Sequence, residues 1–171
     1  MQAGGDLGFH WIAPDLALGG CVPTEAVIAL ARCGRLRVVV DLREEACDDA
    51  AALAEAGIAL LHLPTPDHAA VAQHHLQEGV HRLRGLSGAG EAALLHCQHG
   101  IGRSALLALC VLVDRGMAPL EALNLIKACR QCVSPSPAQY EAWVTWLRGR
   151  GVEPPTFDAF AAVAYRHLAP A

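Results

Sequence analysis

The apolar positions along the chain change period several times, and each change predicts a new element. RLRVVVDL at 35–42 is β-branched and nearly continuous before it turns polar, as in a strand buried on both faces. IALLHL at 58–63 and EAALLHC at 91–97 predict two more strands. Residues 69–86 space Val71, Leu76, Val80, Leu83 and Leu86 as a helical stripe, and the glycine-rich SGAG closes that helix. A helix of alanines and acids is expected over 47–56, stopped by Gly57. WIAPDLALGG at 11–20 predicts two short strands around a Pro-Asp turn, after which Pro23 opens an alanine-rich helix to about Cys33. Pro64 and Pro66 are expected to break the strand before them into a loop carrying Asp67 and His68. Ser104 to Arg115 predicts a buried helix.

Strands and helices that alternate with short connections imply an α/β domain with a central, mainly parallel sheet flanked by helices. A chain of 171 residues, without repeats or long linkers, fits one such domain. Ligands of parallel sheets sit at the carboxyl ends of the strands. Arg43, Asp67 and Cys97 each follow a predicted strand and are expected to gather there.

Composition then removes several function classes. The chain is 53% hydrophobic, with mean hydropathy +0.30, yet its longest apolar run, ALLALCVLV at 105–113, is far short of a membrane span. The amino-terminal MQAGGDLGFHW lacks a basic region followed by an apolar one, and RHLAPA carries no lipidation signal, so a cytoplasmic, membrane-free protein is expected. A net charge of −4 and a pI near 6.1 give no basic field for nucleic acid, so any anion must be caught locally. Seven cysteines without paired spacing predict mostly free thiols. Cys129 and Cys132 form a Cys-x-x-Cys in a helical stretch with no second pair, which favours core packing over zinc. The nine histidines lack a metal pattern, and the adjacent His74 and His75 are expected on different sides of a helix.

HCQHGIGRS at 96–104 is the stretch that carries chemistry. The chain runs there from strand to tight loop to helix, with Gly100 and Gly102 available for conformations closed to other residues. Backbone N–H groups turned inward at a helix start make an anion site, to which the helix dipole adds about half a positive charge. The same field favours a thiolate. A thiol ordinarily near pKa 8.5 falls to roughly 3.5–7.5 in such surroundings, which makes Cys97 a nucleophile. Arg103 can bind two phosphate oxygens with its planar fork, which lysine cannot do. Ser104 can donate to the cysteine sulfur and ease departure of the thiolate. Gln98, His99, Gly100, Ile101 and Gly102 complete the phosphate-binding loop. Cysteine is common in cores, so Cys-x5-Arg alone is weak; the strand before, the helix after, the glycines and the hydroxyl raise it.

His-Cys-x5-Arg-Ser resembles the active-site loop of the cysteine-dependent protein phosphatases, and residues 9–148 are similar to their small dual-specificity branch. FHWIAPDLALGG is similar to the first hairpin of small atypical members, RVVVDLREE to a central strand, LHLPTPDHAAV to the strand and loop with the general acid, and ALNLIKACRQCVSPSPAQYEAW to two closing helices. The resemblance implies a dual-specificity phosphatase-like fold, with a catalytic domain over 1–150 and a helical extension of unassigned role over 151–171. It also implies a metal-free and cofactor-free reaction: Cys97 attacks phosphorus, Asp67 protonates the leaving oxygen, and water hydrolyses the phosphocysteine with Asp67 as base. Asp67 lies thirty residues before Cys97, a spacing that suits the family; a plain turn residue after Pro66 is the alternative.

By the same resemblance, His96 orients the thiolate through hydrogen bonds around the loop, or else fills the strand end. His68 and Arg43 face substrate, with a strand-end pairing of Arg43 to Glu44 or Glu45 as the alternative. Gln139 positions the hydrolytic water, although the chain departs from the family pattern around SPSPAQ. The expected partner is a phosphorylated protein, through phosphotyrosine and also phosphoserine or phosphothreonine, or a small phosphomonoester. Gln98, His99 and Ile101 add no positive charge, which disfavours lipid and inositol phosphates without removing them. A phosphate-binding pseudophosphatase is the second alternative, and a redox or sulfur-transfer enzyme, which needs no Asp67, the third. Cys47 is a candidate redox partner for Cys97.

Overall fold

The computed structural model describes residues 8–86 and 88–168; residues 1–7 of the expected domain, Ser87 of the SGAG segment and residues 169–171 of the expected extension lie outside them. Five strands form one sheet: β1 (Phe9–Ala13), β2 (Leu16–Gly19), β3 (Leu36–Arg43), β4 (Ala59–Thr65) and β5 (Ala92–His96). Their order is β1-β2-β5-β3-β4. Only β1 runs antiparallel to its neighbour, so the sheet is mainly parallel, as the alternating pattern requires.

Helices α1 (Thr24–Cys33) and α2 (Ala50–Glu55) connect the strands on one side. Their apolar residues, Val27 and Leu53, share a core with Val39 and Leu94 of the sheet. The other face is larger. There α3 (Gln73–Leu83), α4 (Arg103–Asp114), α5 (Pro119–Cys129) and α6 (Pro137–Arg148) pack with Val40, Leu95 and Cys97. The predicted stripe of α3 is buried at every position from Val71 to Leu86, although the helix itself stops at Leu83. Helix α4 is buried from Arg103 to Val113, so its first turn is held by core packing on all sides.

The structure corrects several boundaries. Proline 64 does not end the strand: β4 runs on to Thr65, because β4 is the sheet edge, where a missing N–H breaks no ladder. The rings of His74 and His75 lie 4.2 Å apart rather than on different sides, since helix neighbours are only about 100° apart. Cys129 ends α5, and Cys132 lies in the turn beyond it, both half-buried. Cys21, Cys47, Cys97, Cys110, Cys129 and Cys132 are all free.

The extension is part of the same core. Helix α7 (Phe157–Ala164) and a 3-10 turn at Arg166–Leu168 follow a short connection. Phe160 is fully buried, its ring 4.9 Å from that of Tyr140 and 6.1 Å from that of Trp143. Among the described residues, no helix is long and apolar enough to cross a membrane.

Candidate active site

Strand β5 lies at the centre of the sheet, and every one of its residues is buried. It therefore delivers Cys97 to the middle of the carboxyl edge, where His96 pairs in register with Gly19 on one side and Asp41 on the other. The chain then bends sharply into α4. Gly100 has φ 65, and a Cβ there would fall on the backbone of Gly19, so this position needs glycine twice over. Gly102 differs from expectation: its φ is −121, and glycine is required only for space, because a Cβ would strike the Gln139 amide. The two adjacent glycines of LALGG complete the seat, and Cys21 N–H donates to the Gln98 carbonyl at 3.0 Å.

Cys97 is 3% exposed, and its sulfur lies 3.3 Å from Ser104 Oγ. Burial pushes this thiol up, but the Ser104 hydroxyl, the Ser104 and Gly100 N–H groups and the Arg103 charge outweigh it, and the net shift is downward. No side chain caps the start of α4, which leaves its first N–H groups for the sulfur and for an incoming anion.

Cys97 and Asp67 line one pocket of about 140 Å³ with His68, His99, Ile101, Gly102, Ser134, Ser136 and Gln139. The pocket thus brings together the expected nucleophile, the expected acid and three of the five loop residues. Asp67 is half-exposed, accepts from His68 N–H at 3.0 Å and stands 3.1 Å from Arg103 Nη2. His68 has φ 58, a left-handed backbone that a non-glycine residue adopts only at a cost of about 1–2 kcal/mol. The acid loop is strained at the position after its carboxylate.

Arg103 is placed differently from the sequence-based expectation. Its guanidinium is 1% exposed, and Nη1 and Nη2 both reach the Glu45 carboxylate at 2.8 Å, with Nη1 also donating to the Thr65 carbonyl. The fork is already engaged by a carboxylate of the chain, while Nε is buried without a partner. Glu45 answers in kind: the Arg103 hydrogen bond holds its carboxyl well down, at about 2. The sequence reading offered Glu45 only as a partner for Arg43 and missed its pairing with Arg103, for which the two acids of DLREE were the only signal.

Three supporting residues are corrected in part. Arg43 does not face substrate and does not pair with Glu44 or Glu45. It is buried, donates to both oxygens of Asp41 at 2.8–3.0 Å and to Asp48 at 2.7 Å, and reaches Cys21 Sγ at 3.0 Å. Strand alternation puts Asp41 and Arg43 on the α2 side of the sheet, away from Cys97. His96 lies on that side too: Nε2 bonds Asp48 at 2.7 Å and Nδ1 has no partner, so its ring makes no hydrogen bond to the loop. It fills the strand end instead. Gln139 is 2% exposed and forms a capping box with Ser136, its Nε2 donating to the Ala69 carbonyl at 3.2 Å. These bonds use one N–H and one lone pair of the amide and leave one of each, and Gln139 lines the pocket. The S-x-x-Q of SPAQ is the signal for that helix start.

Arg130 was also missed. Its Nη2 and Nε donate to the His99 and Gly100 carbonyls at 2.8 and 2.9 Å, so it grips the phosphate loop from outside. Cys47 is exposed, beside Asp41 and His62, and burial and the neighbouring carboxylates push its thiol up. That environment favours the protonated thiol, the less reactive form. Among the described residues, two groups bring three metal-ligating side chains together, Asp41–Cys47–His62 and Asp41–Asp48–His96. Both depend on Asp41, whose oxygens already accept four N–H bonds from Arg43 and Asp48.

The chain is similar to known proteins. Residues 24–147 match the family "Dual specificity phosphatase, catalytic domain". The human protein dual specificity phosphatase 28 is 29% identical over 127 residues, which cover 74% of this chain and 70% of that protein. Among solved structures, the active form of Tk-PTP superposes with a TM-score of 0.75 at 24% identity, covering 86% of this chain and 99% of that one. PTPMT1 in complex with PI(5)P gives 0.76 at 23%, covering 84% and 99%. Human DUSP28 gives 0.73 at 24%, covering 83% and 97%.

Proposed function

The chain belongs to the dual specificity phosphatase family, and on that premise we propose that it is a metal-independent phosphomonoester hydrolase acting through a phosphocysteine on phosphorylated protein. The observation that carries this reading is one pocket holding Cys97, 3.3 Å from Ser104 at a helix start, and Asp67 on the facing loop. The phosphate dianion enters over the first turn of α4, takes the loop N–H groups, and competes with Glu45 for the Arg103 fork, whose Nε is free to meet it. Cys97 attacks phosphorus in line as the P–O bond breaks, and Asp67 gives its proton to the leaving oxygen. Asp67 then takes a proton from water as that water attacks phosphorus, and the sulfur leaves as a thiolate stabilised by the Ser104 hydroxyl. Residues 1–150 serve as the catalytic domain in this reading.

Phosphoprotein is favoured over polyanionic substrates by the rim. Gln98 and His99 are exposed, the carboxylates of Glu45 and Asp67 are half-exposed, and the described residues that line the pocket include no lysine or arginine, the buried Arg103 reaching its Asp67 at 3.1 Å. A second phosphate would meet negative charge there. Structural likeness to PTPMT1, solved with PI(5)P, keeps a phosphoinositide as the second reading. The test is hydrolysis of para-nitrophenyl phosphate in excess EDTA, followed by a phosphotyrosine peptide against a phosphoinositide. Metal-free turnover with preference for the peptide is expected. Phosphate binding without turnover would make the chain a pseudophosphatase, and preference for the phosphoinositide would replace the substrate class.

A further inference from the structure

The family match ends at residue 147, and α7 with its 3-10 turn lies beyond it. This added segment packs on α6 and also meets the loops of the active site through one connection, the turn at residues 130–136. On its inner side the turn holds three consecutive carbonyls of the phosphate loop: Arg130 donates to His99 and Gly100, and Ser134 N–H donates to Ile101 at 3.0 Å. It also holds the acid loop, where Ser136 Oγ donates to the His68 carbonyl at 2.8 Å. On its outer side, Tyr165 donates to the Pro135 carbonyl at 2.7 Å.

Lys127, the chain's only lysine, sits between these layers. It is fully buried, and its ammonium contacts Gln131 O at 2.6 Å and Val133 O, Ala164 O and His167 Nδ1 at 2.8 Å each. Gln131 and Val133 belong to the turn; Ala164 ends α7, where the carbonyls have no helical partner. An ammonium carries three N–H donors and suits the negative end of a helix dipole, so one side chain satisfies carbonyls of both segments at once. Burial lowers Lys127 to about 8, with Arg166 adding to the shift and Cys132 opposing it, so a charge here is kept only because its acceptors surround it.

We propose that Lys127 is a positioning residue and that the α7 segment acts through it and Tyr165 as a brace, pressing the 130–136 turn onto the phosphate and acid loops. The inference rests on the phosphatase reading of Cys97. The brace acts on catalysis without touching substrate, because it sets where the His99, Gly100 and Ile101 peptides point.

The test uses the full chain, with Lys127→Met, which keeps the stem and removes the donors, and Tyr165→Phe, which removes one hydroxyl. In Lys127→Met, kcat for para-nitrophenyl phosphate should fall about tenfold or more, orthovanadate affinity should fall with it, and amide exchange at 98–103 should accelerate. Tyr165→Phe should shift the same three readouts by about twofold to tenfold, the worth of one net hydrogen bond. A role confined to stability would lower the unfolding temperature but leave kcat, orthovanadate affinity and exchange at 98–103 unchanged below it, and that result overturns the proposal. If Lys127→Met does not fold, Tyr165→Phe decides alone by the same readouts. Lack of turnover in the unaltered protein would sink the phosphatase reading, while exchange at 98–103 would still decide the brace.

Discussion

Two arginines stand at the carboxyl edge of this sheet, both buried, both paired with a carboxylate, on opposite faces. Arg43 has both its carboxylate partners inside: Asp41 is 0% exposed, and Asp48, 5% exposed, joins the pair to His96. Arg103 has a partner that is 43% exposed, the Glu45 carboxylate, and an Nε with no partner at all. The difference is one of replaceability. A closed pair cannot exchange its carboxylate for a ligand without stranding a charge in the interior. A pair whose carboxylate reaches solvent can let go of it when a better anion arrives, and phosphate with two charges is a better anion. On the proposed function, Arg43 is scaffold and Arg103 is machinery, although the sequence shows each simply as an arginine near a strand end or a helix start.

The largest expected effect is on the machinery side. Cys97→Ser should abolish turnover while leaving the fold and phosphate binding intact, because an alcohol in this loop stays protonated. Retention of a tenth of the metal-free activity would remove Cys97 as nucleophile. Asp67→Asn should slow hydrolysis of a tyrosyl phosphate by about 10²- to 10⁴-fold, and less for a leaving group that is already a stable anion. The pH profile reports the nucleophile: Cys97 is lowered, so its thiolate persists below the ordinary thiol range and the rate should hold there. A tyrosyl phosphate rate unchanged in Asp67→Asn would place the acid elsewhere.

The scaffold arginine should fail differently. Arg43→Met strands Asp41, Asp48 and His96 and should cost about 3–5 kcal/mol of stability, measured by denaturant unfolding, with kcat changed little at temperatures where the variant is folded. Acid should probe the same pair. Despite burial, the Arg43 hydrogen bonds and the neighbouring His96 hold Asp41 below its ordinary value. Its contribution is therefore full above the ordinary carboxylate range and is lost as pH falls through the lowered value. Asp41→Asn should flatten the acid limb of stability. A steep loss of phosphate affinity in Arg43→Met, with stability unchanged, would erase the distinction between the two arginines.

The sequence carried the fold well because its signals are local: a β-branched run for β3, short apolar runs for β4 and β5, helical spacing in α3, a longer apolar run for α4. It misjudged Pro64 because whether a strand lies at an edge depends on the sheet order, which no local pattern records. At the site, the grouping of Cys97, Ser104 and the loop was legible because all of it lies in nine consecutive residues. The partners were not. Glu45 lies 58 residues from Arg103, Asp48 lies 48 from His96, and Arg130 lies 31 from His99. Such pairs exist only once the sheet has aligned the strand ends, and an acidic residue in DLREEACDD gives no sign of which cation it will meet.

Glu45 offers the finest test of the comparison. Its carboxylate stays ionised far below neutral pH, held at about 2 by Arg103, so at any assay pH it opposes an incoming phosphate both by occupying the fork and by its own charge. Glu45→Gln keeps the shape, leaves one acceptor for the guanidinium, and removes the charge. If the exposed partner is the replaceable one, inorganic phosphate should bind about threefold to tenfold more tightly to Glu45→Gln, as expected for loss of one partly screened like charge near the site. Stability should change little, because Glu45 is half in water. The alternative is that Glu45 serves only to hold Arg103 in place, as Asp41 holds Arg43. In that case the variant should bind phosphate more weakly, with the fork free to wander. Competitive inhibition by phosphate, measured in both proteins at equal ionic strength, separates the two by sign alone.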